Sequence, residues 1–181
     1  MNTLALCDGT LGLVATGFAW RGRTRVDARL AGGLIAAAAL FGVLRYVALL
    51  PDPRLHRLLS LLAGALGLPS LAHALLTEAR RPATAPRAAA LGLALLALAA
   101  WLVPTLAPGV RVASVASVFA LVVHGTRRRS PGHLLVGACL LAAFVGVGAR
   151  LAPPGLAPED VLHLGMAAAL LVAMRLLRLA A

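Results

Sequence analysis

Residues 158–178 read PEDVLHLGMAAALLVAMRLLR. Glu159 and Asp160 open the stretch, Arg175 and Arg178 close it, and His163 is the sole polar side chain from Val161 to Met174. A helix needs about 20 predominantly apolar residues, at 1.5 Å of rise each, to cross a hydrocarbon core about 30 Å thick. This stretch has that length, and its charges sit at its ends. Working outward, the same unit recurs along nearly the whole chain, which is 61% hydrophobic over 181 residues and contains no lysine. Candidate spans lie at roughly 3–20, 30–50, 55–77, 88–106, 110–125, 133–152 and 158–178. The run at 110–125 is short and holds Ser114 and Ser117, so it is expected to be the weakest. The fold class expected is all-α, a polytopic seven-transmembrane-helix bundle forming a single membrane domain over 1–181. The first span is not read as a cleavable signal, because Asp8 interrupts it and its positive charge follows the apolar run.

A net charge of +11 invites a nucleic-acid reading, but the arginines follow the spans instead of forming one patch. Arg21, Arg23, Arg25 and Arg29 follow the first span; Arg80, Arg81 and Arg87 the third; Arg127, Arg128 and Arg129 the fifth; Arg175 and Arg178 end the seventh. The alternate ends carry Arg45, Arg54, Arg57, Arg111 and Arg150. The positive-inside rule therefore expects the N-terminus outside and the C-terminus in the cytoplasm. Basic inner loops would attract anionic headgroups, so membrane lipids are the expected partners, with further membrane subunits a second class and nucleic acid none. The short loops suit a bacterial inner membrane. Cys7 and Cys139 are read as small packing residues, too far apart in depth for a bridge.

Two stretches resemble each other: GVLRYVALLPDPRLHRL at 42–58 and GVGARLAPPGLAPEDVLHL at 146–164. Each has Gly-Val, an arginine, prolines, an acid and a Leu-His pair. A 3+1+3 internal repeat, with 1–80 and 108–181 as the halves, would account for them, as in transporters built from parallel repeats.

Ionisable groups inside spans are costly and mark functional sites by default. By rise per residue, Asp8, Arg45 and His163 all lie roughly 7–8 Å below the outer surface. In a sequential bundle their spans are neighbours, which makes one cluster of them. Asp8 and His163 are the candidate catalytic residues, and Arg45, Tyr46, His56, Arg150 and Asp160 candidate ligand-binding residues near the same rim. The plainer alternative is an Asp8–Arg45 ion pair that locks the helices together, with Arg45 also able to reach the headgroups. Toward the other surface lie Ser70, His73 and Thr77, with His124 and His133 beside the arginines of the loop after span five. Pro69 is expected to bend the third span, with Ser70 placed to satisfy the freed carbonyl. Zinc needs three or four ligands at about 2.0–2.3 Å. His73 is too deep to share a metal with His163, which leaves His56 and His163 as the first zinc ligands to consider; the same two histidines are the pair that haem ligation would use.

The string PEDVLHLGMAAALLVAM at 158–174, the acid at Asp8 and the Asp160-x-x-His163 opening of the last span resemble the ceramidase/adiponectin-receptor superfamily of membrane hydrolases, through uncharacterised bacterial seven-helix proteins. That resemblance implies a metal-dependent amide hydrolase acting on a lipid, with Asp8 and His163 in its site. Three functions follow as expectations. The first is a lipid-binding or lipid-amide-hydrolysing protein with a polar site near the outer face, Arg45 stabilising an oxyanion. The second is a structural or accessory subunit of a membrane complex, with polar residues as packing glue. The third is a small transporter for an anionic solute, with the pairs Arg45/Arg150 and His56/His163 on a central path. The charge pattern makes one prediction alone: a green fluorescent protein fused after Ala181 and expressed in a bacterial inner membrane should fluoresce, and a dark but stable fusion would reverse the orientation.

Overall fold

In the computed structural model the described residues are 3–50, 52–77 and 85–179, with the side chains of 85–88 and 178–179 left aside. Arg80 and Arg81 fall outside the described residues, and Arg87 and Arg178 among the side chains left aside. The helices are α1 (Thr3–Arg21), α2 (Val26–Tyr46), α3 (Pro53–Leu62), a π turn (Ala63–Gly67), α4 (Leu68–Leu76), α5 (Ala85–Leu102), a 3-10 turn (Pro104–Leu106), α6 (Ala107–Arg128), α7 (Pro131–Gly148) and α8 (Pro158–Leu179). No strand occurs among the described residues. α3, the π turn and α4 run on as one rod, Pro53–Leu76, so the described residues form seven rods.

Six of those rods are long and apolar enough to cross a membrane. The strengths of the fourth and fifth spans are the reverse of the sequence expectation. Pro104–Arg128 is a 25-residue span despite its serines, whereas Ala89–Leu102 is the apolar part of α5 among the described residues. The stretch 88–106 breaks because Val103 precedes a proline and takes extended angles (φ −122, ψ 94). Ser114 and Ser117 are tolerated in α6 because each hydroxyl donates back to a carbonyl one turn earlier, Val110 O at 3.0 Å and Ala113 O at 2.8 Å.

The rods form a ring. α1 packs on α2, α2 on the α3–α4 rod, that rod on α6, α6 on α7, α7 on α8, and α8 returns to α1. α5 stands outside the ring against α3, the π turn and α6. Small residues let the backbones approach. A Cβ at Gly32 would meet Ala15 O of α1 at 2.7 Å, and one at Gly137 would meet Val122 of α6 at 2.6 Å. Two loops of the ring close alike. After α2, Ala48 takes φ 61 and Leu49 N donates to Leu44 O; after α7, Arg150 takes φ 54 and Leu151 N donates to Gly146 O. Both are left-handed helix ends that satisfy last-turn carbonyls.

The rod Pro53–Leu76 contains the decisive local event. Pro69 has no N–H, and its ring would clash with the carbonyl of Ala65 in a regular α-helix. The helix widens just before it, with Leu68 N donating five residues back to Ala63 O. In that register Gly64 O would take its bond from residue 69, which has no hydrogen to give. Ser114 Oγ of α6 supplies it from across the ring, at 3.0 Å. The serine that answers Pro69 is thus on another helix, and not Ser70.

Ser114→Ala should cost about 1–3 kcal/mol in detergent unfolding, the penalty of an unpaired buried carbonyl. In a Pro69→Ala background, which restores an N–H for the carbonyls of this turn, the same substitution should cost clearly less. Equal costs in both backgrounds would reject the coupling.

Candidate functional site

The candidate site is a pocket of about 220 Å³ at the end of the ring where α2 finishes and α3 and α8 begin. Every ring rod contributes to its wall, among them Asp8 (α1), Ile35 (α2), His56 (α3), Ser114 (α6), Phe144 (α7) and His163 (α8), whereas α5 contributes none. Asp8 is 1% exposed. Its Oδ1 lies 3.0 Å from His163 Nδ1. That distance is short, but the approach falls outside hydrogen-bonding angles, so Nδ1 remains without a hydrogen-bond partner, as does Asp8 Oδ2.

Gly42 is what makes room for this carboxylate. A Cβ there would overlap Asp8 Oδ2, so α2 passes Asp8 with bare backbone. The depth argument that put Asp8 and His163 at one level therefore finds them side by side. The Asp8–Arg45 ion pair is not formed: Asp8 faces His163, and Arg45 is exposed at the end of α2 with its guanidinium 5.6 Å from the Tyr46 ring. A guanidinium one residue from a helix end reaches water at little cost, whereas the space over Asp8 is closed by Gly42.

His56 is on the wall with Nδ1 3.2 Å from Ala38 O, and its ring meets that of Tyr46 edge to face at 6.4 Å. Asp160 is 0% exposed and sits behind the wall. Its Oδ2 caps α8 by accepting from Ala157 N at 2.8 Å, its Oδ1 has no partner, and the Cys7 thiol lies beside it. Arg150 is exposed in the α7–α8 connection and, like Arg45, does not line the pocket. Sequence reasoning passed over three wall residues, Ser60, Ser114 and Glu159. The signal available for Ser60 was its place one turn after His56, on the same helix face.

The opposite end of the bundle holds a second polar group built on Asp27, which the sequence reading missed. Arg25 donates to Asp27 Oδ2 at 3.0 Å and to Thr77 O at 3.1 Å, and His73 Nδ1 lies 2.9 Å from the same Asp27 oxygen. His133 Nε2 reaches Leu75 O at 3.0 Å, with the His124 ring 5.0 Å away and tilted 56° to it. The clue was Asp27 itself, the one acid within the arginine run 21–29. These contacts tie α2, α4 and α7 together and use up their own polar groups.

No protein-family model, curated protein or solved structure matches the chain. Metal ligation can be tested on the residues themselves. Among the described residues no group of three or more His, Cys, Asp or Glu converges to hold a metal ion. One turn after His163 on the same face comes Ala167, packed in the core. The pocket residues thus do not fit a zinc site on His56 and His163, and no step is derived through a metal. Cys7 and Cys139 are both free.

Gly42→Ala should lower stability by about 1–3 kcal/mol, the usual cost of overpacking, because it displaces the Asp8 carboxylate. Gly33→Ala, with nothing within 4 Å of its Cβ, is the matched control on the same helix and should be neutral or mildly stabilising. A Gly42→Ala protein as stable as the parent in denaturant melts would mean that Asp8 is not seated against α2.

Proposed function

We propose that this chain is an integral membrane protein that binds a small lipid-like amphiphile in the ring pocket, its polar group on Asp8 and His163 and its apolar part on Leu11, Ile35, Phe144 and Met166. The observation that carries this reading is the composition of the wall: a mostly apolar cavity into which one buried His–Asp pair is set. A volume of about 220 Å³ suits a short amphiphile or the head end of a longer one. Six apolar rods make the protein compatible with a bilayer. The arginine distribution supports placing the pocket end outside, with the C-terminus in the cytoplasm.

Binding is favoured here over hydrolysis. The two wall serines already donate their hydroxyl hydrogens to backbone carbonyls, Ser60 to His56 O at 2.8 Å and Ser114 to Gly64 O at 3.0 Å. Neither is held against the His–Asp pair as a nucleophile would be. Anion transport is less favoured, because the charged wall residues include Asp8 and Glu159 and no arginine. We also read the bundle as two like halves, 1–80 and 108–181, joined through α5. The ring order and the matched left-handed ends after α2 and α7 support that reading.

Purified into nanodiscs from its host membrane and analysed by native mass spectrometry, the protein should carry a small amphiphile. Ala38→Phe and Met166→Trp, which fill the pocket, should each lose it while keeping helix content and elution volume. Retention of the same molecule by both filled variants would place the binding elsewhere.

A further inference from the structure

The wall of the pocket has an unusual hydrogen-bonding balance, which can be worked out group by group. His56 Nδ1 faces the carbonyl of Ala38 at 3.2 Å, and a carbonyl only accepts, so the neutral ring carries its proton on Nδ1. His163 Nδ1 lies 3.0 Å from Asp8 Oδ1 but outside hydrogen-bonding angles, so this contact fixes no tautomer for that ring. The neutral His56 ring is thereby left with Nε2 as an acceptor, and a neutral His163 ring offers one acceptor nitrogen and one N–H. Ser60 and Ser114 have given their hydrogens to carbonyls, and their oxygens can then only accept. Asp8 and Glu159 accept through their carboxylates. Tyr46 at the rim and the one N–H of His163 aside, the polar groups on the wall are acceptors, and two of them are carboxyl groups.

A ligand entering such a wall must bring the hydrogens. An alcohol brings one, a carboxylate none, and a protonated primary amine three together with the compensating charge. A trimethylammonium group brings the charge without the hydrogens. We propose that the pocket selects an amphiphile headed by a primary or secondary ammonium, held by Asp8 and Glu159 as counter-charges and by His56 Nε2 and the acceptor nitrogen of His163. The proposal rests on the reading that the pocket binds an amphiphile, and it names the head-group chemistry. The two unpartnered carboxylate oxygens, Asp8 Oδ2 and Asp160 Oδ1, are independent signs of it. Both belong to side chains at most 1% exposed.

The test uses the full chain in phosphatidylcholine nanodiscs, with empty nanodiscs as the partition control, titrated calorimetrically with hexylamine, hexanol, hexyltrimethylammonium and hexanoate. Hexylamine should bind at least about tenfold more tightly than each of the other three, the scale expected when charge-assisted hydrogen bonds are present or absent. Glu159→Gln, at an exposed rim position where folding is not at stake, should weaken the amine several-fold more than the alcohol. Trimethylammonium binding as tightly as the amine would overturn the requirement for donors. Hexanoate or hexanol binding best would overturn the ammonium proposal and leave amphiphile binding standing. Absence of specific binding by all four would remove both.

Discussion

An apolar surrounding cannot hydrate a carbonyl, so every backbone oxygen buried in the middle of the bundle needs a donor from the protein itself. Pro69 withdraws one such donor at the centre of the rod Pro53–Leu76. The π turn at Ala63–Gly67, the hydroxyl of Ser114 and the packing of α6 against this rod all answer that single deficit. The one hydroxyl hydrogen of Ser114 is shared between Gly64 O and Val110 O, each 3.0 Å from Ser114 Oγ. The floor of the pocket, with Gly64 and Ser114, is therefore fixed by a backbone requirement before any ligand is considered.

The class of fold was legible because spans are announced by length and hydropathy, which survive without knowledge of packing. The pairing of Asp8 with His163 was legible for a related reason: depth along a helix is additive at 1.5 Å per residue, so two residues at one level on adjacent helices can be inferred to meet. What depth cannot give is rotation about the helix axis or the free space at a contact. That is why Arg45, at a suitable depth, was a plausible partner for Asp8 until Gly42 closed the space over the carboxylate. Asp27 was missed for the opposite reason. It lies at a helix start, where an acid looks like ordinary compensation of the helix dipole. Its three-way contact with Arg25 and His73 depends on where α4 ends in space. Ser114 looked like a weakness in its span because the carbonyl that needs it belongs to a helix 50 residues away.

The two ends of the bundle are built on different accounting. At the Asp27 end, donors and acceptors balance: arginine, carboxylate, histidine and threonine answer one another, and the group acts as a brace between helices. At the pocket end, two carboxyl oxygens and the Nδ1 of His163 are left without partners. Buried polar groups without partners are costly, and such costs are usually carried where function requires them.

The π turn has a geometric consequence for the rod that contains it. One extra residue in a turn sets everything beyond it back by about 100° around the axis, the angle each residue occupies in an α-helix. His56 and Ser60, on one side of the turn, look into the pocket; His73 and Thr77, on the other, look toward Asp27 and Arg25. A straight α-helix of the same sequence could not aim both sets correctly. The turn works as a phase shifter, letting a single rod belong to two polar neighbourhoods whose directions an unbroken helix would not bring into step.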